Sequence, residues 1–367
     1  MPTREWLAGR LSGQRLLWLR VAAVTAWLAG MIVWTVRGGI ALDRTQLLVM
    51  ICTGLVAATI GSWRMFGVLR DWLPFAAILV IYDYSRGAAT ALGRPTQWHW
   101  GVDFDKHLFG VEPTVWLQSH LKEAKPPWWE VIVSVVYISY FIVPYALAGI
   151  LWLRNRASWR KFVARFVAIS LIGLVGFILF PAAPPWAASI CPASQVAGGP
   201  AEPPCIYNPL GSDPGGGLLG TVEPTHAGAH PYVERISARG WDTLHLATAK
   251  SLVNEGQAVS NPVAAIPSLH AAISLLVSVF LWPRVRKRWR PLLAAYAVTM
   301  AFALVYSGEH FAFDILLGWL VTGVVSVVLG RWESRRERSA AAPPTETGVV
   351  GGPESPDILD GSSLSRP

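Results

Sequence analysis

Charged residues are scarce in this sequence of 367 residues. Asp, Glu, Lys and Arg together make up 15% of the chain, whereas soluble domains usually contain about 25%. Hydrophobic residues make up 53% and recur in long runs from Leu16 to Gly330. Most of these runs approach the ~20 residues that a helix needs to cross a bilayer. The composition therefore excludes an ordinary soluble protein and predicts an all-α, polytopic membrane helical bundle.

Cysteine is also rare, with three residues in the chain. Cys52 lies within an apolar run and is interpreted as a core residue. Cys191 and Cys205 share one long polar segment, so they can pair in a disulfide if that segment lies outside the cytosol. Their spacing alone leaves the pairing open.

Eight apolar stretches are predicted to span the membrane. The first is interpreted as a retained helix and not as a signal peptide, because it is long and lacks a clear small-residue cleavage site. The eight stretches are residues 16–36, 45–62, 72–92, 131–153, 162–180, 263–282, 291–307 and 311–330.

The net charge of +8 is explained by membrane topology and not by nucleic-acid binding. Basic residues concentrate between alternate apolar runs, most densely in RVRKRWR at Arg284–Arg290. Cytoplasmic loops carry the excess of Lys and Arg in membrane proteins. The pattern therefore predicts an even number of spans with both termini in the cytoplasm. It predicts no nucleic-acid partner and does not indicate an oligomeric state.

This topology divides the chain into three parts. Residues 1–71 form an N-terminal cytoplasmic segment with two spans, and residues 72–330 form a core of six membrane helices. Residues 331–367 form a polar cytoplasmic tail that is predicted to be disordered. The core carries two long extracytoplasmic loops, residues 93–127 and 181–262, and loops of such length are usually functional or disordered.

Each long loop contains a pattern that favours a helix. In the first, PTVWLQSHLKEA at residues 113–124 predicts a short helix along the membrane surface. Val115, Leu117 and Leu121 are its expected apolar contacts. In the second loop, residues 232–255 have a helical pattern.

Five ionisable residues lie inside or at the ends of the predicted spans. Such groups are costly in a bilayer, so they usually face a polar cavity and mark function. The topology places all five toward the outer side, although it was drawn without them. They are Asp83, Arg86, His270, His310 and Asp314.

The stretch YSGEHFAFDILLG, Tyr306–Gly318, places His310 four residues before Asp314. On a helix this spacing puts both side chains on one face. The carboxylate can then accept the N–H of one imidazole nitrogen, which leaves the other nitrogen as a nucleophile or base. The same spacing suits a metal site, but no carboxylate-rich or Cys/His cluster lies nearby in sequence. No metal is predicted.

The stretch PSLH precedes the sixth apolar run and suggests a site for an anion. Pro267 suits the first position of a helix, Ser268 can cap that helix or bind through its hydroxyl, and His270 then lies on the first turn. The open N–H groups of a helix start favour phosphate. The turn at Gly308 repeats the arrangement for His310. Two such starts predict a phosphoryl-transfer site in which Ser268 and Gly308 help to bind substrate. For either histidine alone, the plainer alternative is an interfacial residue that packs and hydrogen-bonds.

The motif AAIPSLHAA followed by GEHFAFDILLG resembles the type-2 phosphatidic acid phosphatase superfamily, and most closely the branch that includes fungal inositol phosphorylceramide synthase. The resemblance covers about residues 72–330. It implies a helical membrane core, no metal or cofactor, and catalysis through a phosphohistidine. It further implies that His310 is the nucleophile, that Asp314 orients it, and that His270 is the acid that protonates the leaving oxygen.

The cations that often bind phosphate in this superfamily are incomplete here. Its phosphatases often have Lys-x6-Arg-Pro, whereas RGAATALGRP provides Arg86 and Arg94 with one residue too many between them. They also often have Ser-Arg before the nucleophile, where this chain has Ala303 and Leu304. Arg86 is therefore the first candidate for a forked phosphate contact, held in place by a nearby acid, Asp83. Arg94 is the second candidate, and a solvated loop charge is its equal alternative.

The predicted function is an integral-membrane lipid phosphatase or phosphotransferase that acts on a phospholipid or polyprenyl phosphate. Water as acceptor gives a phosphatase, and an inositol, sugar or lipid alcohol gives a phosphotransferase; the missing cations favour transfer. One alternative is a lipid transporter that binds its cargo with the same groups, which their clustering on one side disfavours. Another is a noncatalytic binding protein whose surface is the loop at Cys191 and Cys205. In the enzyme interpretation this loop is a lid or an acceptor site.

Overall fold

The structure is a computed structural model, and it divides into two compact units, residues 1–327 and 328–367. The first unit contains every residue of the candidate site. The structure describes residues 13–38, 44–62, 64–85, 92–207, 216–221, 225–226, 232–258, 263 and 265–341.

The described residues are helical, without a strand, and one isolated β-bridge pairs Gln97 with Ala182. The α-helices in chain order are α1 (Gly13–Gly38), α2 (Arg44–Thr59), α3 (Arg64–Ser85), α4 (Trp100–Phe109), α5 (Pro113–Leu121), α6 (Trp129–Arg154), α7 (Arg156–Leu179), α8 (Pro185–Ile190), α9 (Ala193–Val196), α10 (Pro204–Tyr207), α11 (Gly240–Thr243), α12 (Ala247–Ala258), α13 (Leu269–Leu281), α14 (Arg290–Tyr306) and α15 (Ala312–Ala341).

Within the described ranges, five helices are long and apolar enough to cross a membrane. They are α1, α6, α7, α14 with the 3-10 turn before it, and α15. The apolar helices α2 and α13 are shorter. The prediction of an all-helical membrane protein is confirmed, and each of the eight predicted stretches overlaps a helix. The count of eight spans stays a prediction.

The core of the first unit is built from α6, α7, α13 and α14, which pack against one another. Glycines on α7 let the start of α13 approach closely: a Cβ at Gly173 would lie 2.6 Å from the Leu269 side chain, and one at Gly176 would lie 2.7 Å from the Pro267 ring. Close approach at small residues is how membrane helices gain packing contacts. The N-terminus of α13 is therefore fixed against the last turns of α7.

Helix α5 forms as predicted, but its buried face is more polar than the sequence suggests. Val115 is buried, as expected, yet Gln118 and Ser119 are buried too, while Leu121 is 36% exposed. The reason is that Gln118 hydrogen-bonds backbone groups of the second long loop, donating from Nε2 to the carbonyl oxygen of Glu234. Leu117 also packs against an apolar cluster, so the helix contacts protein through both apolar and polar side chains, and of the three predicted apolar contacts Leu121 is the exposed one.

Two predictions about irregular regions are wrong in part. Residues 232–239 are not helical, because their backbone forms hydrogen bonds with neighbouring elements, as when Ile236 N donates to Ser307 O. The helices α11 and α12 follow only after this segment.

Near the C-terminus, α15 continues to Ala341 instead of becoming disordered at residue 331. Its last stretch is rich in Arg, Glu and Ala, which are strong helix formers. Residues 342–367 of the predicted tail lie outside the described residues.

Candidate active site

The first turn of α13 presents His270, as the sequence predicts. The helix is capped by Ser268, whose hydroxyl oxygen accepts a hydrogen bond from Ala271 N at 3.3 Å. Pro267 does not occupy the first helical position, which is a correction: it precedes the cap and follows a cis peptide bond. The physical reason is that a helix starting at Pro267 would have Ile266 as its cap, and Ile offers no side-chain acceptor.

His310 and Asp314 are in contact, but not on one helical face as predicted. Helix α15 begins at Ala312, so His310 lies in the preceding turn and Asp314 in the first helical turn. The Nδ1 atom of His310 is 3.3 Å from Oδ2 of Asp314. The same oxygen accepts the backbone N–H of Phe311 at 3.1 Å. One carboxylate oxygen thus both caps the turn and orients the imidazole.

A hydrogen bond between two backbones brings the two helix starts together. Ser268 N donates to Asp314 O at 3.0 Å, and Thr322 Oγ1 donates to Ala272 O at 2.8 Å. Between these bonds, a Cβ at Gly318 would lie 2.4 Å from Ser268 O. This close approach leaves the rings of His270 and His310 with a centroid separation of 5.8 Å.

Helix α4 fixes the start of α15, a feature that the sequence interpretation missed. The fully buried carboxylate of Asp105 accepts the backbone N–H groups of Ala312 at 2.8 Å and Phe313 at 3.0 Å. A carboxylate at a helix N-terminus satisfies free donors and complements the helix dipole. Burial raises the pKa of Asp105 to about 6, although these two hydrogen bonds act in the opposite direction.

Aromatic rings surround His270. Its ring stacks on Tyr137 with centroids 5.1 Å apart and an interplanar angle of 15°. Tyr140 lies at 4.0 Å and Phe141 at 5.6 Å between centroids. All three rings come from α6. Aromatic faces attract cations, so these rings can contact the imidazole when it carries a proton.

A second missed feature is an arginine bound to the residue that precedes His310. Arg235 binds Glu309 through two hydrogen bonds, from Nε to Oε1 at 3.0 Å and from Nη2 to Oε2 at 2.9 Å. Ser237 Oγ also donates to Glu309 Oε1, at 2.7 Å. The guanidinium lies over the ring of Trp186 at 4.9 Å. Glu309 directly precedes His310, which was a usable signal, but Arg235 is 74 residues from Glu309 in the sequence.

The other predicted binding residues have different positions. Gly308 adopts a left-handed conformation with φ 73°, and its N–H donates to Val305 O, so this donor supports the turn. Arg94 is exposed, and no described contact joins it to the histidines. Asp83 lies in α3, but its side chain is outside the described part of the structure, as is the whole of Arg86.

Cys191 and Cys205 form a disulfide bond, which resolves the pairing that the sequence left open. The bond lies in an apolar cluster with Trp98, against which Trp186 packs. Trp186 N in turn donates to Gly308 O at 3.0 Å. The disulfide therefore braces the loop that covers the turn before His310.

The arrangement suits transfer of a phosphoryl group. His310 can present Nε2 because its Nδ1 faces Asp314. His270 lies close enough to hand a proton to a group bound between the rings. Among the described residues, no group of three or more His, Cys, Asp or Glu side chains could hold a metal ion.

Comparisons with known proteins agree with this chemistry. The phosphoinositol dihydroceramide synthase of Bacteroides thetaiotaomicron is 26% identical over 253 residues, which cover 67% of this chain and 71% of the relative. No solved structure matches the chain significantly. A family model described as the PAP2 superfamily matches residues 102–328. The chain therefore belongs to the PAP2 superfamily, as a membrane enzyme of the lipid phosphatase and phosphotransferase type.

Proposed function

We propose that this enzyme transfers a phosphorylated headgroup, such as phosphoinositol, from a phospholipid to a lipid alcohol through a phosphohistidine intermediate. The observation that carries the proposal is the geometry of three side chains: His310 contacts Asp314 through Nδ1, and its ring lies 5.8 Å from that of His270. The headgroup is suggested by the name of the synthase to which the chain is similar. Covalent catalysis divides one difficult displacement into two easier steps.

In the first step, His310 attacks phosphorus with the lone pair on Nε2. Its Nδ1–H donates to Asp314, which fixes the tautomer and stabilises the positive charge that forms on the ring. The new N–P bond replaces the bond between phosphorus and the leaving oxygen of the donor lipid. His270 gives its proton to that oxygen, so the lipid leaves as a neutral alcohol. The aromatic rings of Tyr137, Tyr140 and Phe141 support this role because they hold the His270 ring in place.

In the second step, neutral His270 takes the proton of the acceptor hydroxyl. The acceptor oxygen attacks phosphorus, the N–P bond breaks, and His310 returns to its starting form. Water in this position would release the phosphorylated headgroup, and it would give a phosphatase where the histidine carries an unsubstituted phosphoryl group. Burial favours the alcohol, because His310 is only 7% exposed and the rings on α6 cover one side of His270. A site that excludes water protects a reactive intermediate from hydrolysis.

We place the site on the extracytoplasmic side of the membrane. The disulfide between Cys191 and Cys205 supports this face, since disulfides persist mainly outside the reducing cytosol. The concentration of basic residues at Arg284–Arg290, at the opposite end of α13 from His270, supports the same orientation.

A reconstituted transfer assay tests the function. Purified protein in detergent with EDTA is given phosphatidylinositol, phosphatidate or a polyprenyl phosphate, each with and without ceramide or dihydroceramide as acceptor. We expect a new phosphorylated lipid that appears only with acceptor. His310→Ala should abolish it, and His270→Ala should reduce it about 10²–10⁴-fold.

The control variant is His107→Ala, because His107 is exposed on α4 and has no part in the proposed chemistry. It should keep wild-type turnover. Phosphate release without acceptor dependence would identify a phosphatase instead. Near-normal turnover of folded His310→Ala protein would rule out the phosphohistidine mechanism.

A further inference from the structure

We propose that Arg235 is the cation that holds the transferred phosphate between the two histidines, and that Glu309 fixes its guanidinium in place. The inference rests on the function proposed above. It assigns a substrate-binding role to a residue of the second long loop, 181–262, that carries no motif of its own.

Arg235 contacts residues that neighbour each of the two histidines. The guanidinium is bound by Glu309, the residue before His310. It also hydrogen-bonds the side chain of Tyr137, whose ring stacks on His270. One cationic group therefore contacts an immediate neighbour of each histidine.

The Arg235 side chain is anchored and still accessible. Its side chain is 23% exposed, whereas that of Glu309 is 7% exposed. Burial lowers the pKa of Arg235, but the Glu309 carboxylate more than offsets this, so the net pKa is raised and the charge is retained. Glu309 accepts from one edge of the guanidinium through both carboxylate oxygens, and Ser237 holds that carboxylate by donating to Oε1. Planar N–H groups in a fixed fork suit a phosphate better than a point charge does.

Hydrogen bonds and packing hold the segment that carries Arg235, residues 232–239, in one position. The Gln118 side chain binds the backbone of Glu234 through two hydrogen bonds. Its Oε1 accepts from Glu234 N at 2.9 Å, and its Nε2 donates to Glu234 O at 2.9 Å. Ile236 N donates to Ser307 O at 3.2 Å, and the Ile236 side chain packs with Ala303 of α14. A pre-positioned cation loses little freedom when a phosphate arrives, which is how rigid sites gain affinity.

The same segment provides a matched control. Arg239 also binds a buried glutamate, donating from Nη1 to Glu130 Oε1 at 2.9 Å, but its described contacts are with the N-terminal end of α6 and the carbonyl oxygens of Glu123 and Ala124. Changes at Arg239 thus disturb the segment without removing the proposed phosphate contact.

Binding of orthovanadate to the purified full-length protein tests the inference, because vanadate mimics a phosphoryl group bound to histidine. We expect Arg235→Gln to weaken vanadate binding about 10- to 100-fold, the effect of losing charged hydrogen bonds. Arg239→Gln should lower the melting temperature and leave vanadate affinity unchanged. Glu309→Gln should lose less affinity than Arg235→Gln. If Arg235→Gln does not fold, Arg235→Lys against Arg239→Lys gives the same comparison, because lysine keeps the charge and loses the fork.

Three outcomes would contradict these expectations. Wild-type affinity in folded Arg235→Gln protein would overturn the inference. A larger loss in Glu309→Gln than in Arg235→Gln would also overturn it, since vanadate affinity would then depend on Glu309 by a route other than Arg235. Wild-type protein that binds no vanadate would overturn the phosphohistidine mechanism itself, which separates failure of the proposed function from failure of this assignment.

Discussion

Replacing Gly318 with alanine tests whether the contact between α13 and α15 sets the geometry of the two histidines. A Cβ at Gly318 would lie 2.4 Å from Ser268 O and 3.4 Å from Ala272 N. Ordinary van der Waals contact begins at 3.4 Å, so the backbones must separate locally by about 1 Å. The displaced segment is the first turn of α13, which carries His270.

This displacement acts on the site through one hydrogen bond. Ser268 N donates to Asp314 O at 3.0 Å, so moving Ser268 away from α15 moves His270 away from His310. A misplacement of about 1 Å can lower an enzymatic rate about 100-fold. We therefore expect Gly318→Ala to reduce lipid turnover by about two orders of magnitude. Weaker helix formation is not the cause, since alanine is favoured over glycine within a helix by up to about 1 kcal/mol.

Gly323→Ala is the matched control on the same helix. A Cβ at Gly323 would meet nothing within 4 Å, so this variant gains the same helix propensity without the clash. Turnover of both variants is measured in detergent, with the melting temperature from tryptophan fluorescence and the elution volume as checks of folding. The reasoning is refuted if folded Gly318→Ala protein matches the turnover of Gly323→Ala.

The remaining predictions concern the loops around the site. Burial raises the pKa of Glu112 to about 7, so its stabilising effect is complete below pH ~4.5 and is lost as the pH rises through ~7. Glu112→Gln keeps an acceptor for Val115 N and should raise the melting temperature at pH 8 but not at pH 5; an equal effect at both would contradict this. Asp105→Asn should lower kcat more than KM in lipid kinetics, because only one of its two oxygen acceptors remains, and an unchanged kcat would count against this positioning role. The double variant Cys191→Ser with Cys205→Ser should lose about 2–4 kcal/mol of stability in thermal melts, and an unchanged melting temperature would argue against the bond in the purified protein.

Local patterns predicted the helices well because apolar runs and cap residues act over short distances. They also identified His270, which lies on the first turn of α13 as expected. They failed where a distant residue decides the helix boundary. The N–H groups of Ala312 and Phe313 are bound by Asp105, so α15 begins after His310 and not before it. No pattern near His310 encodes the position of α4.

The position of Arg235 shows the same limit for the site. Ala303 and Leu304 stand where related phosphatases often have Ser-Arg, and both side chains are fully buried in this chain. Ala303 packs with Ile236, the residue after Arg235. A larger polar residue at Ala303 would meet Ile236 and displace the segment that carries Arg235. The place of the motif's arginine is thus taken by the buried side chain of Leu304, while Ala303 shares an apolar cluster with the residue after Arg235. A sequence with this pair of residues should be examined for an arginine in the loop before the PSLH motif.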